Sequence, residues 1–178
     1  MQTETINPHP VYKDRLITQE GQILPNFTRK CVEWLIGLTP SLKNFSVYEY
    51  GAEVALSWWI KHANTYTGIT TNEQVGKLLD CYYKWDQDGY VNHITEENTQ
   101  YDIIIINGKW RDECIVPELQ RIKKGGYIII NNYHQERTDY RPNYWQLTTP
   151  LMDKHPIVIF HDEKSNTNNR TSIWQFLK

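Results

Sequence analysis

Two apolar runs, Tyr101-Asp102-Ile103-Ile104-Ile105-Ile106 and Gly126-Tyr127-Ile128-Ile129-Ile130, each end abruptly on an asparagine, Asn107 and Asn131. Isoleucines in unbroken succession suit strands buried on both faces, and such strands belong to parallel sheets covered by helices. Between the runs, Asp112 to Lys123 reads as a short helix. Strand, helix and strand in that order imply a right-handed crossover, and the residues just past each strand then open into the crevice where such sheets bind ligands.

The rest of the chain extends this alternation. Pro8, Pro10, Gly21 and Pro25, with little periodicity around them, predict an irregular N-terminal arm over residues 1–26, followed by a single α/β domain over residues 27–178. Asn26 is expected to cap a helix from Phe27 to Leu38, in which Cys31, Trp34, Leu35 and Leu38 share one face; Pro40 ends it. Ser46 to Tyr50 reads as the first core strand, and Gly51 turns the chain into a helix from about Glu53 to His62. Thr65 to Ile69 is a second strand, followed by a helix from about Asn72 to Tyr83 and a third strand from Tyr90 to Ile94. The two isoleucine runs are the fourth and fifth strands, and Pro156 to His161 with Thr171 to Phe176 close a terminal hairpin. The fold expected is a Rossmann-like α/β domain, with a mostly parallel seven-stranded sheet, an antiparallel last strand and helices on both faces. Trp58 and Trp59 are adjacent on a helix, where neighbours point about 100° apart, so one is expected to pack inward and the other to face elsewhere.

At 178 residues the chain fits one domain with a substantial core. A formal net charge of −2 supplies no basic field, which argues against nucleic acid as a partner. The first residues lack a basic stretch followed by an apolar core, and no apolar run reaches membrane-spanning length, so a cytoplasmic protein is expected. Cys31, Cys81 and Cys114 lie far apart and are odd in number, which indicates buried thiols rather than disulfides or a metal knuckle. His161-Asp162-Glu163 are too close in sequence to converge on one ion, and Asp86-Gln87-Asp88-Gly89 reads as a turn; no metal is expected. Seven tryptophans and twelve tyrosines exceed the needs of packing alone, and suggest a surface for planar or sugar ligands or a protein partner.

The strand-end residues carry a resemblance. Glu49-Tyr50-Gly51 after the first strand, Gly108-x-x-Arg111-x-x-Cys114 after the fourth, Gly125-Gly126 before the fifth, and Asn132 with Arg137 and Tyr140 beyond it resemble a branch of the class I S-adenosylmethionine-dependent methyltransferases over about residues 27–178. The resemblance implies S-adenosylmethionine as cofactor, with Glu49, Gly51, Glu53, Thr70 and Asn107 lining its side of the crevice. Asn131, Asn132 and His134 would lie near a small hydroxylated, sugar-like or amine acceptor, and an imidazole such as that of His134 can take a proton near neutral pH. Lys109, Arg111 and Arg137 are either contacts for an anionic substrate or ordinary surface charges.

Four positions depart from the family pattern. Glu53 stands where a second glycine is usual, Thr70 where an acid binds the ribose, and Asn107 and Asn131 where acids often follow the fourth and fifth strands. The alternative is therefore a catalytically inactive domain of this fold, acting as a binding or structural module. On that view Glu49 bonds nearby backbone or a basic side chain, Gly51 only makes a turn, and Glu53 faces solvent at a helix start. Thr70 and Asn107 then bond neighbouring backbone, and His134 is a surface residue.

Overall fold

Val47, Ile103, Ile105 and Ile129 are buried on one face of a central sheet, and Tyr48, Tyr50, Ile104, Ile106, Ile128 and Ile130 on the other. This is the two-sided burial that the isoleucine runs imply. It is seen in a computed structural model that describes residues 7–8, 16–53, 55–96, 98–131, 150–161 and 170–177.

The described elements are, in chain order, β1 (Asn7–Pro8), β2 (Leu16–Ile17), α1 (Arg29–Gly37), α2 (Thr39–Leu42), β3 (Ser46–Tyr50), α3 (Leu56–His62), β4 (Thr65–Thr70), α4 (Glu73–Leu79), β5 (Tyr82–Tyr83), α5 (Gln87–Glu96), β6 (Tyr101–Ile106), α6 (Arg111–Leu119), β7 (Ile122–Asn131), β8 (Ile157–His161) and β9 (Arg170–Gln175). Seven strands form one sheet in the order β5-β4-β3-β6-β7-β9-β8. All the pairings from β5 to β7 are parallel, whereas β9 runs antiparallel to both of its neighbours. The chain steps outward from β3 through β4 to β5, then returns to lay β6 on the other side of β3. That reversal is the topological switch point, and the crevice of such a sheet opens there, beyond the strands' carboxyl ends.

At the opposite end of the sheet a partly buried polar cluster holds three strands together. The Asp102 carboxylate accepts from the Ser46 amide at 2.7 Å, the Ser46 hydroxyl at 2.9 Å and Lys123 Nζ at 2.8 Å, joining β6 to β3 and β7.

Several expectations are corrected. Tyr90 to Ile94 is not a strand but lies within α5; the third strand is the short edge segment β5. Asp86 Oδ1 accepts the Gly89 amide at 2.7 Å, which starts a helix, and Tyr90, Val91 and Ile94 then fall on its buried side. The preceding helix stops early because Asp80 adopts a left-handed conformation, φ 49°, releasing Tyr82 and Tyr83 to pair with β4. Thr28, not Asn26, immediately precedes α1, and Pro40 sits in the first turn of α2, where its missing amide does no harm. The N-terminal arm is not wholly irregular: β1 pairs with β2, and Leu24 is fully buried. Trp58 and Trp59 are both fully buried, in a T-shaped pair with centroids 4.8 Å apart. They share a cluster with Leu24, Phe27 and the buried residues of α1, so chain encloses α3 on more than its sheet-facing side. Cys31 and Cys114 are buried as expected, while Cys81 is half-buried.

Candidate functional site at the strand ends

Gly51 follows β3 with φ +86°, a conformation that suits glycine alone among the common residues. Its amide and that of Ala52 both donate to Ile69 O, at 2.8 and 2.9 Å, which fixes the turn against β4. A Cβ built on Gly51 would lie 2.5 Å from both Gly108 N and Gly108 Cα, and one built on Gly108 would lie 2.9 Å from Gly51 Cα. Glycine is required on both sides of this contact because backbone meets backbone. The two turns therefore meet backbone to backbone at the switch point.

The other expected residues lie along the same edge, each engaged within the protein. Glu49 is buried, 3% exposed, and accepts the Tyr66 hydroxyl at 2.6 Å. Burial first, and then the Glu49 charge, push the Tyr66 phenol well above its ordinary range. The buried Thr70 hydroxyl accepts the Asn72 amide at 3.2 Å, while Asn72 Oδ1 accepts from Gln74 and Val75 and so caps α4. Thr70 thus belongs to a helix start. Glu53 is half-buried, and its carbonyl accepts the Leu56 amide at 3.0 Å, in the turn ahead of α3 rather than inside its first turn.

Asn131 joins three parts of the chain. Its Nδ2 donates to Asn26 O at 2.8 Å and to Asn107 Oδ1 at 3.3 Å, and its Oδ1 accepts from Thr171 Oγ1 at 3.3 Å. Arg111 adds a clamp: Nε donates to Gly108 O at 2.9 Å, Nη2 to Asn107 O at 3.3 Å, and Nη1 to Asn131 O. A planar guanidinium can bond several carbonyls at once, and here it ties the end of β6 to the end of β7. The Gly-x-x-Arg phrase flagged Arg111 without revealing that its partners are main-chain oxygens.

The structure thus sets Glu49, Gly51, Glu53, Thr70, Asn107 and Asn131 along one edge of the sheet. Asn132, His134, Arg137 and Tyr140 lie outside the described residues.

Two residues that the sequence did not single out also meet here. Trp110, at the start of α6, takes φ +47°, which is uncommon for a bulky residue. Its ring stands edge-to-face to Tyr90 at 5.5 Å, and Tyr90 in turn lies 5.4 Å from Tyr50. The Tyr50 hydroxyl donates to Val91 O at 2.7 Å. The Tyr90 hydroxyl is buried and has no partner among the described residues. Tyr90 reaches this position because residues 87–96 are helical rather than extended. An open hollow of about 510 Å³ lies between α5 and α6, lined by residues such as Asp88, Val91, Glu113 and Val116, and its lining includes none of the expected site residues.

No family model matches the sequence, and no curated protein matches it. In structure the chain is similar to an rRNA methylase from Streptococcus thermophilus, with a TM-score of 0.64 at 14% identity over 85% of this chain and 98% of that one. It is similar to the Methanococcus jannaschii fibrillarin pre-rRNA processing protein, with a TM-score of 0.61 at 13% identity over 98% of this chain and 83% of that one. An O-methyltransferase from Bacillus cereus, solved in complex with SAH, gives a TM-score of 0.65 at 12% identity over 86% of this chain and 84% of that one. The strand order, the switch between β3 and β6 and these neighbours together define a Rossmann-like class I methyltransferase fold. Among the described residues no helix is long and apolar enough to cross a membrane.

Proposed function

We propose that this protein binds S-adenosylmethionine at the ends of β3, β4 and β6 and passes its methyl group to an acceptor held at the ends of β6 and β7. The observation that carries this reading is the placement of Glu49, Gly51, Thr70 and Asn107 along one edge of the sheet, beside its switch point. Their chemistry suits the cofactor: a side-chain-free turn at Gly51, a buried carboxylate at Glu49, a hydroxyl at Thr70 and an amide at Asn107. Glu53 flanks the same turn. Entry of a ligand requires the Gly51 and Gly108 turns to part.

When bound, the cofactor supplies an electrophilic methyl on sulfur. The chain's part is to hold an acceptor in line with that methyl and to exclude water. Asn131 and Asn132 position the acceptor, and His134 takes its proton when it is a hydroxyl or an ammonium group. The acceptor is a small hydroxylated, sugar-like or amine compound. Two of the similar structures are named for rRNA, so RNA belongs among the acceptors to be tried despite the net charge of −2. Isothermal calorimetry with S-adenosylmethionine and its demethylated product tests the reading; absence of binding at millimolar concentration removes it.

One observation favours a second reading, a non-catalytic module of this fold. The glycine turns touch, and Thr70 and Asn131 are bonded within the protein. Under that reading the double substitution Thr70→Glu with Glu53→Gly yields no methyl transfer. Cofactor binding regained by that pair speaks instead for recent loss.

A further inference from the structure

Resting on the reading that the strand-end crevice takes an adenosyl ligand, we infer that Tyr90 is a ligand-contacting residue of that crevice, its hydroxyl bonding the ligand once the Gly51 and Gly108 turns separate. A Cβ added to Gly108 would overlap the Tyr90 hydroxyl, so that hydroxyl occupies the place of a side chain at residue 108, directly beside the contact with Gly51. Tyr90 is fully buried, and among the described residues its hydroxyl meets no hydrogen-bonding partner. A buried hydroxyl left unpaired destabilises a fold, and phenylalanine would fill the same space without that penalty. Tyr50, its ring tilted against that of Tyr90, shows the ordinary arrangement, with its hydroxyl bonded to Val91 O.

A second unfavourable feature abuts the first. Trp110, whose ring meets that of Tyr90 at 5.5 Å, holds a left-handed backbone conformation that a bulky residue rarely adopts. Strain and unpaired polar groups persist where a second state of the molecule uses them. Both features lie at the switch point, where sheets of this topology bind ligands. The ring nitrogens of Trp58 and Trp59 are also buried and unpaired, but they belong to the cluster on the opposite face of the sheet. Tyr90 alone among these groups sits against the Gly108 turn. Its hydroxyl can donate to a ribose or carboxylate oxygen and can accept from a ribose hydroxyl or an exocyclic amine. These are the groups an adenosyl amino acid carries.

The test compares the wild type with Tyr90→Phe in two measurements: calorimetric affinity for S-adenosylhomocysteine and the midpoint of thermal unfolding. The expected result is an unchanged or higher midpoint with affinity reduced roughly fivefold to tenfold, the loss of one hydrogen bond. If the wild type binds and Tyr90→Phe binds equally well, the role of Tyr90 is overturned while the proposed function stands. A midpoint lowered by several degrees overturns it too, since the hydroxyl would then serve the fold itself. A wild type that binds no S-adenosylhomocysteine overturns both.

Discussion

Gly51 and Gly108 meet backbone to backbone, and neither can carry a Cβ without striking the other. The contact joins the turns that follow two adjacent parallel strands, β3 and β6. Gly51→Ala therefore brings two independent penalties, a left-handed φ of +86° and a Cβ 2.5 Å from Gly108 Cα. Together they should lower stability by about 3 kcal/mol. Urea denaturation measures it, and a change below about 1 kcal/mol would show that the turns move apart with ease.

Arg111→Lys separates charge from geometry. Lysine keeps the positive charge but cannot span the carbonyls of Asn107, Gly108 and Asn131. The loss expected is about 1–3 kcal/mol, from charge-assisted bonds in a half-buried setting. Equal stability of wild type and variant would mean that any cation suffices.

Asp102 anchors the opposite end of the sheet. Burial raises its pKa, but the Lys123 hydrogen bond and the two Ser46 donors outweigh burial and hold the value below the ordinary 3.8. A depressed carboxyl contributes stability above its unfolded value and loses it as pH falls through the folded one. Asp102→Asn should thus cost about 1–2 kcal/mol at neutral pH. The deficit should shrink as pH falls below 3.8. Paired denaturation curves at neutral and strongly acidic pH read this directly.

Glu118 works in the opposite sense. It is fully buried on α6, and neither carboxyl oxygen has a partner among the described residues, so burial raises its pKa well above 4.5. The folded state then holds a proton that the unfolded state releases. Stability is greatest below pH 4.5 for this group and declines as pH rises above that value toward the folded pKa. The decline is about 1.4 kcal/mol per pH unit where the two states differ by one whole proton. Glu118→Gln should flatten the fall in unfolding midpoint between mildly acidic and mildly alkaline pH. An identical slope in both proteins would place a charged partner beside Glu118.

The parallel core and the terminal hairpin were legible because each isoleucine run carries its own burial signal and each is bounded by polar residues. Tyr90 to Ile94 was not, since a five-residue stretch with buried Tyr90, Val91 and Ile94 fits either period, and the deciding bond, Asp86 to the Gly89 amide, reads equally well as a turn. At the site, Gly51 and Arg111 could be picked out as residue types at suggestive spacing. Their partners could not. Asn26 meets Asn131 across 105 positions, and no local pattern encodes such a contact. The same holds for Trp59, which is buried in a cluster whose members run from Leu24 to Ile173.

The reversed strand β9 lies between β7 and β8, so among the described residues β8 has no other neighbour in the sheet. During synthesis, residues 157–161 emerge before the strand that pairs with them among the described residues. Until residues 170–175 leave the ribosome, the flank of β7 stays bare, and an apolar ribbon containing Ile157, Val158 and Ile159 waits without a mate. Completion of the sheet thus waits on residues 170–175, and a nascent chain stalled before them would present two unpaired, sticky strand borders.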